Sequence, residues 1–109
     1  MATFIANHYT QPLRVSQIAS AAGLHPDYAV TIFRKTCGMG LIDYLTEHRI
    51  SHVQRLLVTT NKKILDIAFE AGFNSASRFY TAFTKVCGLS PKIYRSSINT
   101  NRAPKDLPS

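Results

Sequence analysis

The sequence predicts an all-α protein of seven helices, arranged as two helix-turn-helix units joined by a long linker helix. Three observations lead there. A block of residues recurs, apolar residues fall at helical spacing along the chain, and no segment alternates apolar and polar as a half-buried strand would. In the repeat, Ile18-Ala19 matches Ile67-Ala68, and Ala22-Gly23-Leu24 matches Ala71-Gly72-Phe73. Further on, Phe33 matches Phe83, Lys35 matches Lys85, Cys37-Gly38-Met39 matches Cys87-Gly88-Leu89, and Tyr44 matches Tyr94. The second copy carries one extra residue between its first glycine and its phenylalanine. Two copies are too few for a solenoid and read as a duplicated unit.

Taken in chain order, Thr3 to Tyr9 predicts a short helix that ends before Pro12. Ser16 is a candidate cap for the next, whose apolar side is Ile18, Ala19 and Ala22. Gly23 ends it, since glycine takes the left-handed conformation without steric cost. Pro26 suits the first position of the third helix, where a missing N–H does no harm. Ala29, Ile32 and Phe33 form its buried side, and Gly38 stops it. A linker helix follows from about Leu41 to Val58, with Ile42, Leu45, Arg49 or Ile50, Val53, Leu56 and Leu57 on one stripe. In the second copy, Ile64, Ile67, Ala68 and Ala71 line a helix ended by Gly72. Asn74 or Ser75 caps the next, with Phe79, Phe83 and Val86 inward and Gly88 at its end. Ser90-Pro91 opens a last short helix through Tyr94. The expected organisation is a first unit over 1–40, a linker over 41–58, a second unit over 59–97 and a disordered tail over 98–109.

Thirteen Lys and Arg stand against six Asp and Glu, a net charge of +7. That excess favours a polyanionic partner, duplex DNA above all. The basic residues are scattered, so folding must assemble any binding surface. No apolar run approaches the roughly 20 residues that span a bilayer, and the first residues lack the pattern of a secretory signal. The expectation is a cytoplasmic protein without a membrane partner. Cys37 and Cys87 have no second thiol at metal-ligand spacing, and both are expected to be small buried hydrophobes.

In a helix-turn-helix, the second helix enters the major groove and presents its outward side chains to base edges. In the first copy the outward set is Asp27, Val30, Thr31 and Arg34; in the second it is Ala76, Ser77, Arg78, Thr81 and Lys85. Arg78 is the best base reader, because its planar fork can bond guanine O6 and N7 together. Thr31, Ser77 and Thr81 suit base edges or phosphate, and Val30 and Ala76 suit a thymine methyl. Asp27 either accepts from a cytosine amino group or faces the positive end of its own helix. Arg34 and Lys85 lie further along their helices, where phosphate contact is expected.

These residues resemble the DNA-binding domain of AraC/XylS-type bacterial transcription regulators. The resemblance runs from about Phe4 to Tyr94. It is carried by Ile18 to Leu24, Phe33-Arg34-Lys35 with Gly38, Tyr44-Leu45, Arg49-Ile50 and Leu56-Leu57. Most specific are Ile67-Ala68-Phe69-Glu70-Ala71-Gly72-Phe73, then Phe79, Phe83, Gly88, Ser90-Pro91 and Tyr94-Arg95. Within the family the chain looks most like the regulators of melibiose utilisation. The resemblance implies activation of a sugar or stress operon by binding upstream of a promoter and touching RNA polymerase. It also implies that this is the C-terminal piece of a longer protein, whose effector binds an absent N-terminal domain. Some members carry large or basic residues where this chain has Asp27, Val30 and Thr31, so the first recognition helix is expected to read less sequence directly.

Other chemistries are less well supported. His48 and His52 are one helical turn apart, but no third metal ligand is placed by the sequence. Asp66 and Glu70 are also one turn apart, near a helix start where negative charge is favourable anyway. No nucleophile motif, phosphate-cradling glycine loop or zinc-protease string appears, so no catalytic residues, metal or cofactor are expected. The alternative is a helical protein-interaction adaptor, which salt-sensitive DNA binding would exclude.

Overall fold

The computed structural model describes residues 1–97, and all regular structure in that span is helical. The helices are α1 (Ala2–His8), α2 (Val15–Ala21), α3 (Pro26–Cys37), α4 (Leu41–Thr59), α5 (Ile64–Glu70) and α6 (Ala76–Cys87). Residues 91–97 form a seventh, α7. The tail expected over 98–109 lies outside the described residues.

The repeat is visible as repeated hydrogen bonds. After α2 the Leu24 N–H donates to Ala19 O at 2.9 Å, and after α5 the Phe73 N–H donates to Ala68 O at 3.1 Å. These are equivalent positions of the two copies. Both long copies of the second helix end alike: Gly38 and Gly88 have φ of 78° and 75°, with their N–H groups bonded to Arg34 O and Thr84 O. Both begin under a side-chain cap, His25 Nδ1 accepting from the Asp27 N–H and Ser75 Oγ from the Arg78 N–H. Each packs an aromatic against the helix that follows. Phe33 meets Tyr44 edge-on at 5.2 Å, and Phe83 meets Tyr94 edge-on at 5.5 Å.

Two hydrophobic clusters form the core. One joins Ile5, Ile18, Phe33, Leu41 and Leu45. The other joins Ile50, Val53, Leu57, Ile67, Ala68, Ala71, Phe73, Phe79 and Phe83. Helix α4 belongs to both, giving its first half to one and its second half to the other. At 1.5 Å per residue its 19 residues span about 28 Å.

Each end is tied off by an arginine from the helix that trails it. Arg49 of α4 donates from Nε to Tyr9 O at 2.8 Å and from Nη2 to Gln11 O at 2.9 Å, just past α1. Arg95 of α7 donates to Leu57 O, Thr60 O and Lys62 O at 2.9–3.1 Å, around the end of α4. Carbonyls left unpaired at a helix end attract such a cation, through both hydrogen bonding and the dipole.

Several expectations need correction. Helix α2 starts one residue before Ser16. Arg14 is its N-cap residue, and the Arg14 backbone N–H is answered by Gln17 Oε1 at 2.8 Å. Ile42 and Val86 point outward, 50% and 46% exposed, because Leu41 and Phe83 take the core positions beside them. Ile32 is half-buried. Cys37 is exposed and Cys87 half-buried, since each closes its helix at the rim of the core rather than inside it. Helix α1 runs one residue earlier at each end than expected, and α4 one residue longer.

Candidate nucleic-acid interface

The outward faces of α3 and α6 carry most of the expected residues. Asp27, Val30, Thr31 and Arg34 are exposed on α3; Ser77, Arg78, Thr81 and Lys85 are exposed on α6. Ala76 is different. It opens α6 at the position Pro26 holds in α3, and it is partly covered, as Pro26 is. Tyr28 and Tyr80, absent from the expected set, are 56% and 42% exposed. The repeat was the signal for them, since Tyr28 stands where the second copy has Arg78, and Tyr80 where the first has Val30.

Local bonds set what each side chain has free. Thr31 Oγ1 donates to Asp27 O at 3.1 Å, one turn back, leaving its lone pairs for a donor. Asp27 lies 3.9 Å from His25 Nδ1 at the start of α3, where the helix dipole favours a carboxylate. The Arg34 guanidinium lies beside Gly40, so a methyl there would reach Nη2 at 3.0 Å. Arg34 is thus folded towards the end of its helix. Among the described residues, Lys62 is the one Lys or Arg held in an ion pair, to Glu70 at 3.1 Å. Its hydrogen bond and that of His52 pull the Glu70 carboxyl below its ordinary range. Arg34, Arg78 and Lys85 therefore keep their charge for an outside anion.

Two grooves flank α6. One, of about 860 Å³, runs between the two ends of the molecule and is lined by Arg14, Gln17, Thr46, Arg49, Asn74 and Arg78 among others, with no acidic residue. The second, of about 610 Å³, places Ser77, Arg78, Thr81 and Lys85 of α6 opposite Met39, Asp43 and Glu47. Arg78 borders both. Arg14, Gln17 and Asn74 had no signal in the periodicity, because they sit at helix starts and turns rather than on a helix face.

The two histidines with metal-like spacing are engaged otherwise. His48 stacks on Tyr9 and meets Tyr44 edge-on, and His52 bonds Tyr9 and Glu70. No group of three metal-binding side chains occurs among the described residues. No helix there is long and apolar enough to cross a membrane.

Comparison with known proteins follows the same lines. A family model described as a helix-turn-helix domain matches residues 18–97. The melibiose operon regulatory protein of Escherichia coli strain K12 is 45% identical over 95 residues, covering 87% of this chain and 32% of that protein. The chain thus spans about a third of that relative's length. The transcriptional activator AarP of Providencia stuartii is 34% identical over 94 residues, covering 86% of this chain and 70% of that protein. Among solved structures, the DNA-binding domain of the global transcriptional factor AdpA, in complex with a target DNA, superposes with a TM-score of 0.87 at 25% identity. That match covers 93% of this chain and 91% of that one.

Proposed function

The chain belongs to the AraC-type helix-turn-helix family, and from that premise we propose that it binds duplex DNA sequence-specifically as part of a transcription regulator, seating α3 and α6 in successive major grooves. The observation that carries this reading is the pair of 12-residue helices, α3 and α6, capped and ended alike and held on one 19-residue helix. Their outward residues differ, so each reads its own sequence.

In this reading Arg78 bonds a guanine edge through its fork. Its exposure and freedom from ion pairs support that role. Ser77 and Thr81 meet base edges or phosphate beside it, and Lys85 meets phosphate. On α3, Val30 and Thr31 approach the bases, Asp27 stands at the helix start, and Arg34 takes a phosphate. Ala76, partly covered, is left a marginal thymine contact. The reading divides the chain into units over 1–40 and 59–97, carried by the linker. It is a binding function without catalysis. Contact with RNA polymerase, control by an effector on an N-terminal domain outside this sequence, and a cytoplasmic setting are further proposals. What supports them is the likeness to activators and to a regulator three times as long.

The test is titration of duplex DNA at two ionic strengths. Each phosphate neutralised adds about 0.9 to the negative slope of log K against log salt. Binding that weakens steeply with salt supports the reading. No binding, or binding indifferent to salt, overturns it in favour of a protein-interaction adaptor.

A further inference from the structure

The length of α4 sets how far apart the two units stand, but a helix alone leaves open how each is turned about it. The structure closes that freedom with contacts that tie the first unit to the second through side chains of α4, and with one direct contact at Gly72. The Tyr9 hydroxyl, past the end of α1, donates to His52 Nδ1 on α4 at 2.8 Å. With its proton on Nε2, the same ring meets Glu70 Oε2, at the end of α5, at 3.3 Å. Glu70 is held from its other oxygen by Lys62. Beside this chain, Arg49 binds the backbone carbonyls of Tyr9 and Gln11, and Gly72 of the second unit packs against Tyr9 O, Thr10 Cα and Arg49 Nε. Arg49 is half-buried, burial pushes its pKa below the ordinary value, and its charge meets carbonyls rather than a carboxylate.

We propose that Tyr9, Arg49 and His52 are positioning residues that make the protein selective for the spacing of the two halves of its DNA site. One added base pair moves the second half by about 3.4 Å and turns it by about 35° around the duplex axis. Units free to swivel on α4 would follow part of that turn. Units braced through Tyr9, Arg49, His52 and Gly72 cannot, so the mismatch falls on the DNA or on the contacts. The proposal rests on the DNA-binding reading above.

The experiment takes the duplex selected by the wild-type protein from random sequence, and versions with one base pair added or removed between the half-contacts. Affinity is measured for the wild type, Tyr9→Phe, and the double variant Tyr9→Phe/Arg49→Gln. Circular dichroism checks that each is helical. The wild type should lose tenfold or more on either altered duplex. Tyr9→Phe should narrow that ratio, and the double variant should bring it to about threefold or less. If the double variant does not fold, Tyr9→Phe, which removes one hydroxyl, carries the test. Variants that bind more weakly but keep the wild-type ratio have only a structural role, and that result overturns the proposal. So does a wild type indifferent to spacing. A wild type that selects no duplex overturns the DNA-binding reading and the spacing proposal together, before any variant is made.

Discussion

Gly72 faces the carbonyl oxygen of Tyr9 across a gap that no methyl group can enter. Its φ of 113° is one that side chains rarely adopt, and a Cβ there would also meet Arg49 Nε. Its counterpart in the first copy, Gly23, has φ of 70° and open space around it. Equivalent glycines of a duplicated unit thus do different jobs, one shaping a turn and the other letting two units touch.

Gly23→Ala is therefore expected to cost about 1 kcal/mol, the strain of a left-handed alanine. Gly72→Ala should cost about 3 kcal/mol or more, because overlap with backbone adds to the strain. Urea unfolding of both variants measures this. Equal losses would show that the Gly72 contact carries no weight.

The two cysteines should separate in reactivity. Cys37 is exposed, while Cys87 is half-buried, its sulfur accepting from Gln54 Nε2 at 3.2 Å. Burial pushes the Cys87 thiol up, which lowers its thiolate fraction at any given pH. Labelling of the folded protein with a thiol reagent should show one fast and one slow phase, and Cys37→Ser should remove the fast one. A single shared rate would contradict the burial seen here.

Arg78 and Lys85 lie on the same face of α6, but at its start and near its end. Arg78→Ala is expected to relax preference at one base position, costing about 1–3 kcal/mol there. Lys85→Ala should weaken all duplexes by one common factor. Binding to a panel of single-base variants distinguishes them. If Arg78→Ala weakens cognate and random DNA equally, Arg78 is a phosphate contact, as its place on the rim of the inter-unit groove would also permit.

Much of the fold was legible because its signals are local. Gly38, Gly88, Pro26 and Ser75 mark helix ends through their own backbone chemistry, with no need of a partner. Periodicity went astray where neighbours compete for one core position. Leu41 excludes Ile42, and Phe83 leaves Val86 outside; both outcomes depend on packing that spacing alone does not show. Exposure of Asp27, Val30, Thr31 and Arg34 on α3 and of Ser77, Arg78, Thr81 and Lys85 on α6 was readable for the same local reason, whereas partly covered Ala76 and exposed Tyr28, Tyr80 and Val86 were not. The contacts of Tyr9 with Arg49, His52 and Gly72 were not readable. They join residues far apart in the chain, two of them through backbone carbonyls that leave no trace in residue type. The ambiguity between Arg49 and Ile50 on the α4 stripe was the one hint. Ile50 takes the core, and Arg49, next to it, takes the end of α1.

The central claim is that one chain grips two successive major grooves from one face of the duplex. The most direct measurement inserts five base pairs, about half a helical turn, between the two half-contacts of the selected site and compares footprints. The account predicts that one half of the footprint disappears and affinity falls to that of an isolated half-contact. A footprint and affinity unchanged by the insertion would contradict it.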